Sequence, residues 1–130
     1  EKYIPGREIQ VAILENKVLG AIELRPTRKF YDYQAKYNPK ARTEHIIPVE
    51  ISKKKYKELT KIALKAHKIL NCRGVTRSDF RYYKNSFYLL ETNTQPGMTS
   101  LSLVPEIANF NNITFKNLIK KILKDASINK

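Results

Sequence analysis

Val75-Thr-Arg-Ser-Asp-Phe-Arg81, Tyr83-Lys-Asn-Ser86 and Phe87-Tyr-Leu-Leu-Glu-Thr-Asn93 read in succession as strand, turn and strand. Two polar pairs stand at the two-residue spacing that puts side chains on one face of a strand: Arg77 with Asp79, and Glu91 with Asn93. Glu91 and Asn93 follow Phe87-Tyr-Leu-Leu90, where a sheet normally continues with apolar residues. Two carboxylates and an amide oxygen are hard ligands of the kind magnesium takes while it also holds phosphate. Arg77 on the same face can offset charge on a transferring phosphoryl or acyl group. A hairpin whose outer face is simply polar and wet has the same pattern. Thr94-Gln-Pro-Gly-Met-Thr-Ser100 turns the chain directly afterwards, and Gly97 there can bring a backbone N–H against an oxyanion. Ser102 precedes Leu103-Val104-Pro105, where a helix can start and attract a carboxylate. An ordinary strand-to-helix loop would also account for this stretch.

Upstream of the hairpin, Ile9, Val11 and Ile13 alternate with Gln10 and Ala12 as on a half-buried strand. Glu15-Asn16-Lys17 turns it, and Val18 to Leu24 returns. From Arg25 to Pro48 periodicity fails, and Pro26, Pro39 and Pro48 punctuate a long loop. Such loops often act as lids. The four aromatics Phe30, Tyr31, Tyr33 and Tyr37 favour one that packs when closed over a disordered insertion. Ser52 caps a predicted helix to about Leu70, with Tyr56, Leu59, Ile62, Ala63, Ala66, Ile69 and Leu70 inward and His67 on its flank. A second helix follows Thr114, with Phe115, Leu118, Ile119, Ile122 and Leu123 inward. The order ββ–loop–α–ββ–α predicts an α+β fold, helices packed on a largely antiparallel sheet.

With 130 residues the chain suits one domain with a genuine core. No apolar run reaches a membrane span, so neither a membrane nor a signal peptide is expected. Cys72 is the one cysteine, which excludes an internal disulfide and a cysteine-built zinc site. It reads as a packed thiol in a reduced, cytoplasmic setting. The net charge of +13 raises the question of nucleic acid. Most of that excess lies in 51–75 and 110–130, on the two predicted helices, while 76–109 is neutral. Solvated helix faces explain it better than a binding groove, and no nucleic-acid partner is expected.

Glu91-Thr-Asn-Thr-Gln-Pro-Gly-Met-Thr-Ser-Leu-Ser-Leu103 closely resembles the C-terminal motif of the D-alanine–D-alanine ligase family, within the ATP-grasp superfamily. Phe30-Tyr-Asp-Tyr-Gln-Ala-Lys-Tyr37 resembles that family's mobile loop, and Arg77-Ser-Asp79 its arginine–aspartate strand. The resemblance covers the whole chain and implies an ATP-grasp C-terminal domain at 1–130, with the N-terminal and most of the central domain preceding it. Glu1, where a complete chain would carry Met, fits that expectation.

The family joins two D-alanines with ATP through an acyl phosphate, for peptidoglycan synthesis. By resemblance, Asp79 and Glu91 would bind one Mg2+ (or Mn2+), and Glu91 with Asn93 a second. Arg77 and the Gly97 N–H would stabilise the tetrahedral oxyanion. Ser102 and the Leu103 backbone would hold the second D-alanine's carboxylate. Glu1, Lys2, Tyr3 and Ile4 would form the adenine hinge, Glu8 would bind ribose, and Phe30 and Leu90 would flank the ring. Lys36 would reach the phosphates, and Tyr37 would close the site. The Lys36-Tyr37 pair favours D-alanine over D-lactate as acceptor. The first D-alanine's binding acid, the glycine-rich phosphate loop and two ATP-binding lysines precede the hinge in the family, so these residues alone are expected to be inactive. A homodimer is expected of the intact enzyme. Another ATP-grasp carboxylate–amine ligase, or a basic nucleic-acid module, are the competing readings.

A shared metal also dictates register. Asp79 and Glu91 must oppose each other, which in turn sets Arg77 opposite Asn93. A two-residue Lys84-Asn85 turn in a regular hairpin pairs Asp79 with Leu90 and sends Glu91 to the other face. The expectation is therefore a three- or five-residue loop centred on Asn85, or a compensating bulge.

Overall fold

The computed structural model describes residues 1–26 and 43–128. Strands β1 (Arg7–Leu14), β2 (Lys17–Pro26), β3 (Thr43–Ile46), β4 (Val75–Tyr83) and β5 (Ser86–Asn93) form one antiparallel sheet in the order β3-β2-β1-β4-β5. Helix α1 (Lys53–Ile69) covers one face, and α2 (Leu103–Phe110) with α3 (Phe115–Asp125) covers the other. The fold is α+β, as the element pattern predicted, with two additions. Strand β3 lies inside the stretch expected to be irregular, and α2 is a full helix where only a start signal was legible.

The covering of both faces explains why β1 is not half-buried. Ile9, Val11 and Ile13 pack with Ala21, Leu59, Ala63 and Phe80 under α1. Ala12 and Leu14 pack with Ile22, Val75, Val104, Ile107 and Leu118 under α2 and α3. Even Gln10 is buried. A central strand between two helical layers loses the polar-out alternation of a two-layer sheet. Gly20 lets α2 lie close on β2: a Cβ there would sit 2.7 Å from Ile107 Cγ2 and 2.9 Å from Asn111 Nδ2. Asn111 Nδ2 in turn donates to the Leu19 carbonyl at 2.8 Å.

Ser52 caps α1, its Oγ accepting from Lys55 N at 3.1 Å, and Thr114 caps α3 through Asn117 N at 3.2 Å. The inward stripes are narrower than predicted. Ile69 and Leu70 at the end of α1 are exposed, as are Phe115 and Leu123 on α3. His67 is a correction of the opposite kind. It is fully buried rather than on the flank, and its Nδ1 lies 2.8 Å from Thr76 Oγ1. Burial, with a smaller contribution from Lys68, pushes its pKa down and favours the neutral ring. Glu23, also buried, accepts from Arg7 Nε at 2.9 Å and Nη2 at 2.8 Å. That bidentate pair holds its carboxyl below the usual range, against the opposing effect of burial.

No helix among the described residues is long and apolar enough to cross a membrane.

Candidate functional site

Register in the β4–β5 hairpin decides which side chains meet. Lys84 and Asn85 form a two-residue turn, both with positive φ (46° and 66°) as a right-twisted hairpin requires. Tyr83 then pairs with Ser86 and Phe80 with Leu89. A regular ladder from that turn would bring Asp79 to Leu90. Instead the register shifts between Phe80 and Asp79, leaving Leu90 as the extra residue of a bulge. Asp79 therefore opposes Glu91, and Arg77 opposes Asn93. Of the geometries expected, the compensating bulge is the one found.

The same face continues onto β1, where Gln10 opposes Asp79, Glu8 opposes Arg81 and Ala12 opposes Arg77. Glu8, Gln10, Asp79, Arg77, Glu91 and Asn93 thus share one side of three adjacent strands. It is the side on which α2 packs.

Arg77 and Asp79 are bridged in the bidentate manner, Nε to Oδ1 at 2.8 Å and Nη2 to Oδ2 at 3.1 Å. The hydrogen bond to Asp79 is the main cause of the raised Arg77 pKa, with the charges of Asp79, Glu91 and Glu8 adding to it against burial. This guanidinium stays charged at any physiological pH. Glu91 is exposed and has no hydrogen-bond or ion-pair partner among the described residues. Asn93 Oδ1 accepts from Gln95 N at 2.9 Å, which closes the turn after β5.

Among the described residues no three His, Cys, Asp or Glu side chains converge as a metal cluster. The candidate set is two carboxylates and an amide. Its chemistry fits a hard divalent cation. Glu91 is unpartnered, and each Asp79 oxygen keeps a lone pair beyond the one given to Arg77. A further acceptor lies beside it: Gln10 Nε2 donates to Glu8 Oε1 at 3.3 Å, so its buried Oε1 points elsewhere and has no partner among the described residues. Sequence reading left Gln10 out of the site. Its two-residue spacing from Glu8 was the available signal.

The turn after β5 draws Gly97, Thr99 and Ser102 together. Ser102 stands at the N-cap position of α2 but makes no cap hydrogen bond. Its Oγ accepts from Thr99 N at 3.0 Å and lies 2.8 Å from Thr99 Oγ1. The first-turn N–H groups of Leu103 and Val104 are left without a side-chain cap, a ready electropositive end for a carboxylate. A Cβ at Gly97 would come within 2.9 Å of Ser102 Oγ, so glycine keeps this turn closed on the helix start. Thr99, which fixes the Ser102 hydroxyl, is a second residue that sequence reading passed over.

Glu1, Lys2 and Tyr3 precede β1 on the surface, with Ile4 half-buried. Leu90, at the bulge, is exposed beside Tyr88 and Leu89 rather than packed in the core. Glu8 faces the polar side and lies 3.9 Å from Arg81. Phe30, Lys36 and Tyr37 lie outside the described residues. A separate cleft of about 260 Å3 near Arg73, Gly74, Thr94 and Ile122 is lined by none of the candidate ligand or substrate residues.

Residues 1–124 match the family described as "D-ala D-ala ligase C-terminus". The chain is 65% identical over 130 residues to D-alanine–D-alanine ligase of Pelagibacter ubique (strain HTCC1062), covering all of this chain and 43% of that protein. It is 49% identical over 129 residues to the ligase of Wolbachia pipientis subsp. Culex pipiens, covering 97% and 40%. The structure resembles the crystal structure of the Bacillus anthracis ligase complexed with ATP, at TM-score 0.82 and 30% identity over 96% of this chain and 39% of that one. The chain thus spans about two fifths of the length of these relatives.

Proposed function

The chain belongs to the D-alanine–D-alanine ligase family, matching its C-terminal part, and from that premise we propose that it is the C-terminal ATP-grasp catalytic domain of an enzyme joining two D-alanines. In the proposed reaction, a carboxylate oxygen of the first D-alanine takes the γ-phosphoryl group of ATP, and ADP leaves. The amine nitrogen of the second D-alanine then attacks the acyl carbon, loses a proton, and phosphate departs.

The observation that carries this reading is the bulged register, which puts Asp79 opposite Glu91 and Arg77 opposite Asn93. Asp79, Glu91 and Asn93 are the residues assigned to hold two divalent cations, Mg2+ or Mn2+. Such ions offset phosphate charge and orient the transferring group. Arg77 lies beside them and, with the Gly97 N–H, faces the developing oxyanion. For that role its guanidinium must be shared with the substrate rather than spent on Asp79 alone. The uncapped start of α2, with Ser102 and the Leu103 backbone, takes the carboxylate of the second D-alanine. Glu8 takes the ribose, and Glu1 to Ile4 with Leu90 and Phe30 the adenine. Lys36 and Tyr37 close over phosphates and acceptor. A bound anion at a helix start and cations beside phosphate are both electrostatically sound.

The intact enzyme is proposed to work as a cytoplasmic homodimer supplying peptidoglycan synthesis, and these 130 residues alone are proposed to be inactive. Positioning catalysis needs both substrates and the phosphates held together. The test is the intact protein with ATP, Mg2+ and D-alanine. One D-alanyl-D-alanine per ADP is expected. ADP release without dipeptide, or ligation only to a different acceptor, overturns the reading.

A further inference from the structure

His45 and Glu106 are distant in sequence and meet beside the proposed acceptor subsite. His45 sits on β3, opposite Leu24, which in turn opposes Glu8. That register places it on the face covered by α2. Its Nδ1 lies 2.8 Å from Glu106 Oε2 and 3.1 Å from Oε1. An ionised carboxylate only accepts, so Nδ1 carries the hydrogen. Glu106 is the acidic residue of the first turn of α2, and its own N–H donates to the Ser102 carbonyl at 3.2 Å.

This placement creates an electrostatic conflict. Side chains on a helix lean towards its N-terminus, and an acidic group in the first turn is drawn to the exposed N–H groups there. Ser102 does not cap those groups, because its hydroxyl is turned to Thr99. A free Glu106 carboxylate would therefore compete, from within the same helix, with any carboxylate ligand at Ser102 and Leu103. The hydrogen bond from His45 draws the Glu106 carboxylate sideways to the sheet. We propose that His45 is a positioning residue for the acceptor: by holding Glu106 on β3 it keeps the start of α2 open to the carboxylate of the second D-alanine. The inference rests on the function proposed above and adds a residue pair to its acceptor subsite.

The test uses the intact protein and the D-alanine dependence of dipeptide formation, which yields one constant for each substrate position. His45→Ala is expected to raise the acceptor constant about three- to tenfold at low salt, the scale of one extra charge within a helical turn of the ligand. The increase should shrink at high ionic strength, with kcat and the ATP constant unchanged. His45→Gln, which retains an N–H donor, should stay near the unmodified protein. Glu106→Gln should leave the acceptor constant unchanged or lower it, and should reverse the defect when combined with His45→Ala. The proposal is overturned if Glu106→Gln weakens acceptor binding as much as His45→Ala, since the pair would then be only a structural strap. It is equally overturned if His45→Ala changes nothing, or if all constants shift together. An unmodified protein that makes no dipeptide overturns the function reading itself, and this inference with it.

Discussion

Gly20→Ala tests how tightly the helical layer carrying the candidate acceptor subsite is tied to the sheet. The new methyl would stand 2.7 Å from Ile107 Cγ2 and 2.9 Å from Asn111 Nδ2, both tighter than real carbon contacts allow. Ile107 is fully buried, so it has no solvent side to retreat to. Relief requires α2 to move off β2, and that movement strains the 2.8 Å bond from Asn111 Nδ2 to Leu19 O. Overpacking of this kind costs about 1–3 kcal/mol, and the weakened hydrogen bond adds about 0.5–1.5 kcal/mol. The sum is about 1.5–4.5 kcal/mol. At an unfolding entropy of about 2.1 cal/mol/K per residue, a chain of this length loses about 3–4 °C in Tm per kcal/mol, so a fall of about 5–16 °C is expected in a thermal melt followed by far-UV circular dichroism. Gly97→Ala is the control. Its Cβ meets the Ser102 hydroxyl in an exposed turn rather than a packed helix, so stability should change little. A Gly20→Ala Tm within about 2 °C of the unmodified protein would refute the claim that close α2–β2 packing depends on this glycine.

Other expectations follow from the same geometry. In the intact protein Glu91→Gln should cut turnover at saturating Mg2+ by at least about 100-fold, because the proposed site loses the carboxylate common to both cations. Near-normal turnover would remove the metal assignment, whereas Ser102→Ala should act mainly on the acceptor constant. His67, neutral in the fold with a lowered pKa, takes up a proton on unfolding, so stability should fall as the pH drops below its ordinary value of 6.5. His67→Leu should flatten that part of a urea-denaturation pH profile, and an unchanged slope would show that the ring is not responsible. Glu23 has the opposite arrangement: its pKa is lowered by Arg7, so its stabilisation is present above 4.5 and is lost as the pH falls through the lower folded value. Glu23→Gln should remove the corresponding acid transition measured by fluorescence or circular dichroism. Deleting Leu90 should leave Asp79 opposite Glu91, because the two-residue turn then reaches that pair without a bulge. Cross-strand NMR contacts between Ser78 and Phe87-side residues in place of Thr92 would show that the register had slipped instead.

What the sequence made legible was local. The strand signal over Ile9–Ile13, the Ser52 and Thr114 caps, and the polar pairs at Arg77/Asp79 and Glu91/Asn93 all depend on neighbours within a few residues, and the structure contains each of them, although β1 is buried on both faces rather than one. What escaped depends on contacts between distant elements. His67 reads as a flank residue on a helical wheel. In the fold it is fully buried, with Thr76 of β4 at its Nδ1. Ile69, Leu70, Phe115 and Leu123 extend apolar stripes in the sequence but are left exposed by the tertiary packing. Short β3 has no periodicity of its own, and its place is set by pairing Thr43–Ile46 with Pro26–Glu23.

The hairpin shows why local and long-range information must be combined at the candidate site. Lys84-Asn85 is the shortest turn that matches strand twist, and both residues adopt positive φ to make it. Taken alone, that turn would direct Glu91 to the α1 face, among the packed residues around Phe80, where an unpaired carboxylate is costly. On the opposite face, Glu8, Gln10 and Asp79 already form a polar wall with Arg77 charged beside it. The bulge at Leu90 reconciles the two demands by using one extra residue. It keeps Phe87 against Tyr82 and Phe80, returns Glu91 to Asp79, and sets Leu90 outward at the rim. Turn preference and face polarity, each readable on its own, conflict in a regular hairpin, and an irregularity is the least costly way to satisfy both.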